Sequence, residues 1–206
     1  MHNAQTVFVV DDDEGVRDGL GLMLESIDQP SAIFASALDF LAAYDSSMRG
    51  CLVLDIRMPL MTGLDLQEKL NERGAVLPII FISGHGDIPM AVEAMRRGAL
   101  DFIRKPFREQ ELLDRINEAL KFESNNRQQL HDQQQLAEKI DSLTGREREV
   151  FHRVANGEMN KVIAQELSIS ERTVEVHRSQ VMKKLGVRSL AQLVRIKIES
   201  EMGHSK

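Results

Sequence analysis

The chain has 206 residues, 42% of them hydrophobic, which suits one large globular domain or two small ones and excludes a disordered polymer. No apolar run approaches the roughly 18 residues of a membrane span, and no signal peptide opens the chain, so a cytoplasmic protein is expected. The single cysteine, Cys51, excludes an intramolecular disulfide and lies within an apolar run, where a buried structural thiol is expected. A formal net charge of −6 hides an asymmetry: residues 1–123 carry 12 basic and 21 acidic side chains, net −9, whereas residues 124–206 carry 14 and 11, net +3. An acidic half joined to a mildly basic half is the pattern of a protein that meets nucleic acid at one end.

Taken in order, Val7–Val10 reads as a strand, and Glu14–Ile27 as an amphipathic helix with apolar residues at Val16, Leu20, Met23, Leu24 and Ile27. A short strand near Ala32–Phe34 follows Pro30. Ser36 can cap a helix that turns Leu38, Phe40 and Leu41 to the sheet. Gly50 opens a third strand that Asp55 closes. Gly63–Leu70 is helical, Leu77–Ile82 is the fourth strand, and Ser83–Asp87 is a loop. The spacing predicts a helix over Pro89–Arg97 stopped at Gly98, a strand over Leu100–Ile103, and a helix from Glu109 to about Lys121. Strands alternating with helices predict a parallel sheet covered on both faces by right-handed crossovers. Near Phe122 the composition turns rich in Gln and Asn, marking residues 124–138 as a connector, read as partly helical. From Leu143 onward the pattern is helical only.

The run Cys51-Leu-Val-Leu-Asp55 reads as a buried parallel strand whose carboxyl end carries Asp55, the edge at which open α/β sheets place their ligands. Val7–Val10 ends likewise in Asp11, Asp12 and Asp13. Neighbouring strands would gather several of these carboxylates in one small volume. Such crowding of like charge calls for a cation, and oxygen-only ligation selects a hard ion such as Mg²⁺. Asp13 reads as a helix cap or a solvent-facing group. His85 has no second His or Cys nearby and reads as a loop residue.

Asp11 and Asp12 after strand 1, Asp55 after strand 3, Ser83 after strand 4 and Lys105-Pro106 after strand 5 together resemble the receiver domain of two-component response regulators, over residues 5 to 123. The run Gly84-His-Gly-Asp-Ile-Pro-Met-Ala-Val is similar to the FixJ-type subgroup. The resemblance implies a five-stranded parallel sheet of flavodoxin or CheY-like order 2-1-3-4-5. It also implies that Asp55 accepts a phosphoryl group from a sensor histidine kinase. Mg²⁺ is then held by Asp12, Asp55 and the main-chain carbonyl of Arg57, with a water oriented by Asp11. Lys105 and Ser83 contact the phosphoryl oxygens, Phe102 acts as an aromatic switch, and the Lys105–Pro106 bond is cis.

In the second half, Thr144-Gly-Arg-Glu147 fits a capping box at the start of a helix carrying Val150, Phe151, Val154 and Ala155. A helix Lys161–Leu167, with Asn160 as its cap, is joined by Ser168-Ile-Ser170 to a longer one, Glu171–Leu185, closed by Gly186. That is a helix-turn-helix pattern. Along the longer helix Val174, His177, Val181 and Leu185 share a stripe that should face the core. Arg172, Glu175, Val176, Ser179 and Lys183 fall on the opposite stripe, which would enter a major groove. Lys161, Arg178 and Lys184 flank that stripe as phosphate anchors, beside Thr173.

Leu143-Thr-Gly-Arg-Glu, Asn160-Lys-Val-Ile-Ala, Thr173-Val-Glu-Val-His-Arg and Lys184-Leu-Gly-Val-Arg-Ser-Leu resemble the LuxR-type DNA-binding domain. The resemblance implies a four-helix module, placed over residues 139–206, whose last helix, Leu190–Glu199, mediates dimerisation; Leu190, Leu193, Val194 and Ile198 give that helix an apolar edge suited either to dimerisation or to the core alone. The expectation is therefore a response regulator of the FixJ and NarL type, with a receiver over 1–123. It would bind double-stranded DNA half-sites as a homodimer once phosphorylated, and would activate transcription with RNA polymerase as a partner. It would not turn over a separate substrate. The rivals are an aspartate-nucleophile phosphatase of haloacid-dehalogenase type, which needs Asp-x-Asp on its first strand, and a phosphorylation-independent regulator.

Overall fold

The computed structural model describes residues 5–84 and 88–203. Five strands, β1 (Thr6–Val10), β2 (Ser31–Phe34), β3 (Gly50–Asp55), β4 (Ile79–Ser83) and β5 (Asp101–Arg104), form one parallel sheet in the order β2-β1-β3-β4-β5. Between them run α1 (Glu14–Glu25), α2 (Ala37–Ala43), α3 (Gly63–Glu72) and α4 (Ile88–Arg96). The expected loop residues His85 and Asp87 lie outside the described residues.

Between their polar ends the central strands are apolar because both faces are covered, so their alternation appears only in where each side chain goes. Phe8, Val10, Leu52, Leu54 and Phe81 point to one face and meet Phe40, Leu66, Leu70 and Ala94 of α2, α3 and α4. Val7, Val9, Cys51, Val53, Ile80 and Ile82 point to the other and meet Leu20 and Leu24 of α1, with Leu112 and Ile116 of the following helix. Phe40 lies edge-on to Phe8 and Phe34, at centroid distances of 5.7 and 5.2 Å. Cys51 is fully buried, and desolvation pushes its thiol up to about 12, so it is an inert core residue.

Three expectations about residues 1–141 need correcting. Leu38 does not face the sheet: it is 43% exposed, because Ala37, Phe40 and Leu41 make the inward stripe of α2 and Leu38 sits about a quarter turn away. Helix α1 stops at Glu25, leaving Ile27 exposed. The helix expected to end near Lys121 instead continues as α5, Glu109–Asp141, so residues 124–138 belong to it. The reason is local. The stretch holds neither Gly nor Pro, and one-turn side-chain pairs recur along it: Arg127 to Glu123 at 2.8 Å, Gln128 to Asp132 at 2.8 Å and Gln134 to Glu138 at 3.4 Å. Glu123, fully buried, accepts from Gln5, Arg49 and Arg127. Those bonds outweigh the cost of burial and hold its carboxyl below the ordinary glutamate value.

The chain divides into two compact units with the boundary between Arg127 and Gln128, inside α5. In the second unit α6 (Gly145–Ala155), α7 (Asn160–Leu167), α8 (Glu171–Leu185) and α9 (Leu190–Gly203) enclose Val150, Phe151, Ile163, Val174, Val181, Leu185 and Leu193. Thr144 and Glu147 form the expected capping box. Asn160 is not a cap: Met159 takes that position without a side-chain bond, while Asn160 Oδ1 accepts from the Arg178 guanidinium at 3.3 Å.

Gly63 starts α3 directly behind Asp55, its amide donating to the Ile56 carbonyl at 2.9 Å; a Cβ there would lie 2.3 Å from the Asp55 carbonyl oxygen. Gly63→Ala is therefore expected to destabilise the first unit by about 2 kcal/mol, the usual cost of overpacking, read as a lower urea midpoint in circular dichroism.

Candidate functional site

Parallel pairing sets the site. Val10 lies abreast of Leu54, so Asp11 follows β1 at the level where Asp55 ends β3. Ile82 pairs with Asp55, and Ser83 with Arg104, which brings the ends of β4 and β5 to the same edge. The Lys105 amide donates to the Ser83 carbonyl at 2.7 Å, and the Lys105–Pro106 bond is cis. Residues spread over nearly half the chain thus share one rim.

At its centre the Lys105 ammonium bridges two buried carboxylates, Asp11 Oδ2 at 2.6 Å and Asp55 Oδ1 at 2.8 Å. Asp11 is 1% exposed and Asp55 6%. The remaining oxygens are also engaged: Asp11 Oδ1 accepts from the Asp13 amide at 3.0 Å, and Asp55 Oδ2 from the Arg57 amide at 2.6 Å. Burial raises the Asp11 carboxyl above the ordinary aspartate value, against the pull of Lys105 and the Asp13 amide. Burial also opposes the charge on Lys105, but its bonds to Asp11 and Asp55 prevail and its pKa lies above the ordinary lysine value. Arg17 donates to the Asp11 carbonyl at 2.9 Å, bracing the turn after β1. That residue was not singled out from sequence.

Asp12 sits exposed at the rim, and Asp13 caps α1 as expected, accepting from the Val16 amide at 3.1 Å. Ser83 is buried and Phe102 half-buried, packed with Met90 against the α2–α3–α4 face. Among the described residues no group of three or more His, Cys, Asp or Glu side chains is drawn together as a metal cage. The donor chemistry nevertheless fits a hard divalent cation. One ammonium serves two buried carboxylates, a third stands open beside them, and all the oxygens suit an ion that keeps several of its own waters.

In the second unit, α8 presents Arg172, Glu175, Val176, Ser179 and Lys183 to solvent together, while Val174, Val181 and Leu185 are buried and His177 half-buried. Ser170 caps the helix through the Thr173 amide at 3.1 Å. Lys161 is exposed on α7. Arg178 is partly occupied by Asn160. Lys184 departs from the expected role of phosphate anchor: its ammonium binds Glu147 at 2.6 Å and the Ser142 carbonyl at 3.2 Å, tying α8 to the start of α6. These partners lie 37 and 42 positions away, so no local pattern announces them. The expected apolar edge of α9 divides, Leu193 joining the core while Leu190 and Ile198 stay exposed.

Comparison with known proteins identifies both units. The family model described as response regulator receiver domain matches residues 7–117, and that described as bacterial regulatory proteins, luxR family, matches residues 141–197. The response regulator protein TodT of Pseudomonas putida is 48% identical over 193 residues, covering 94% of this chain and 85% of TodT. The transcriptional regulatory protein FixJ of Azorhizobium caulinodans is 42% identical, covering 95% of this chain and 93% of FixJ. The structure of the response regulator StyR is 49% identical and superposes with a TM-score of 0.88 over 95% of this chain and 99% of StyR. A receiver joined to a LuxR-type DNA-binding domain defines a two-component transcription regulator. The chain belongs to the response regulators of that architecture, alongside FixJ and TodT.

The Lys184 bond, followed by the Thr144 amide, holds the Glu147 carboxyl at about 2, below the ordinary 4.5. A carboxyl depressed on folding adds stability that is present above its unfolded value and lost as pH falls through the folded one. Melting curves of the protein and of Glu147→Gln should therefore differ most above about pH 4.5 and converge as pH falls toward 2.

Proposed function

We propose that Asp55 is the phosphoacceptor, charged by a phosphohistidine of a sensor histidine kinase, and that this modification controls DNA binding by residues 139–206. The observation that carries the reading is the Lys105 ammonium held between Asp11 and Asp55 at 2.6 and 2.8 Å. Phosphoryl transfer needs positioning and charge stabilisation more than covalent help. A carboxylate oxygen of Asp55 forms the new P–O bond as the P–N bond to the donor imidazole breaks. Lys105 then balances charge on the phosphoryl oxygens, and the Ser83 hydroxyl donates to one of them.

Receiver domains generally bind Mg²⁺, and here Asp12, Asp55 and the Arg57 carbonyl would hold it, with Asp11 orienting a bound water. When bound, the ion supplies neutralisation of the carboxylates and of the incoming phosphoryl group. The chain itself does the positioning: the Arg57 amide fixes Asp55, the Asp13 amide fixes Asp11, and Arg17 braces the turn.

Residues 1–123 then act as the receiver, 124–138 as a helical connector and 139–206 as the DNA reader. Inward movement of Ser83 and Phe102 on phosphorylation favours a homodimer, which presents two α8 helices to half-sites about one helical turn apart. Arg172, Thr173, Glu175, Val176, Ser179 and Lys183 would enter the groove, with Lys161 and Arg178 on phosphates. RNA polymerase would be recruited to activate transcription. Among the described residues no helix is long and apolar enough to cross a membrane, which suits a regulator working on DNA in the cytoplasm.

With acetyl phosphate and Mg²⁺, intact-mass spectrometry should show one phosphoryl adduct on the protein and none on Asp55→Asn, and that variant should lose promoter activation. Full activity in Asp55→Asn would overturn the reading in favour of a phosphorylation-independent regulator.

A further inference from the structure

The exposed stripe of α8 carries one group that a DNA-binding surface should avoid. Glu175 projects to solvent among Arg172, Ser179 and Lys183 and makes no hydrogen bond or ion pair with any described residue. Its neighbours do not neutralise it. Arg178, one turn along, is turned to Asn160 Oδ1, and Lys184 is bound by Glu147. The carboxylate is thus left unshared on the surface proposed to meet a polyanion.

A carboxylate only accepts hydrogen bonds. In the major groove guanine offers O6 and N7 and thymine offers O4, all acceptors, so facing either would oppose lone pairs to lone pairs. Adenine pairs its N6 donor with an N7 acceptor. Cytosine alone presents a donor, N4, with no acceptor of its own on that edge. A charge this close to phosphate costs affinity on every sequence and recovers it only where that donor is present, so it discriminates by penalty as much as by attraction.

We propose that Glu175 is a specificity-determining residue that requires a cytosine, read at N4, in each half-site of the operator, and that it excludes guanine and thymine there. Val176, 54% exposed and next in the helix, offers an apolar contact for a thymine methyl at an adjacent step. Arg172 and Lys183, also exposed, give the general phosphate affinity against which the penalty operates. This assignment rests on residues 139–206 binding DNA through α8, and it adds the base that this chain's own side chain selects.

The test is selection from a randomised duplex library by the full-length protein treated with acetyl phosphate, run beside Glu175→Gln and Glu175→Lys. The wild-type protein should enrich one cytosine per half-site by about tenfold over guanine, the size of one good base contact. Glu175→Gln should lose that preference while binding unselected duplex more tightly, and Glu175→Lys should select guanine at the same place. An identical motif from all three proteins would overturn the assignment while leaving DNA binding intact. No enrichment by any of them would overturn the DNA-reading function together with it.

Discussion

The first unit depends on a charge balance struck at the edge of a parallel sheet. Two carboxylates, Asp11 and Asp55, are withdrawn from water and share one ammonium, that of Lys105. Burying either acid alone would be costly, and burying both without a cation more so. The arrangement persists because backbone amides of Asp13 and Arg57 satisfy the outer oxygens and because the surrounding strands cannot move independently. With Asp12 open at the rim, the balance is still short of positive charge, which is what the proposed cation and phosphoryl group would make use of.

The sheet supplies the rigidity that such a balance needs. Strands β1, β3 and β4 are covered on both faces, and adjacent residues serve opposite cores, so displacing the end of any one strand would disturb packing on both sides. Gly63 lets α3 start within close reach of the Asp55 carbonyl, so the helix itself backs the end of β3. At the far side of the unit the buried Glu123, held by Gln5, Arg49 and Arg127, secures α5 where it leaves the sheet.

The second unit solves a smaller version of the same problem. Its core is a set of short helices around Phe151, Val174 and Leu193. The start of α6 is pinned to the end of α8 by Glu147 and Lys184. Spending Lys184 on that internal pair leaves α8 an exposed stripe of mixed charge, with Glu175 unshared among basic residues. If that stripe meets DNA as proposed, it trades general affinity for discrimination.

Most of this was legible in the amino-acid order. Apolar runs ending in Asp11, Asp55 and Ser83, the Lys105-Pro106 step and the capping box at Thr144 mark strand ends and helix starts, because these signals are local and chemically specific. Composition understated residues 124–138, read as partly helical, where one-turn pairs sustain a continuous helix, and apolar character alone misplaced Leu38. Only the folded chain decided which oxygen of Asp11 meets Lys105, that Arg17 braces the turn after β1, and that Lys184 faces Glu147 instead of solvent. Periodicity says which face of an element is apolar. Which distant partner a long charged side chain reaches is settled by register and packing between elements, and no pattern within one segment encodes that.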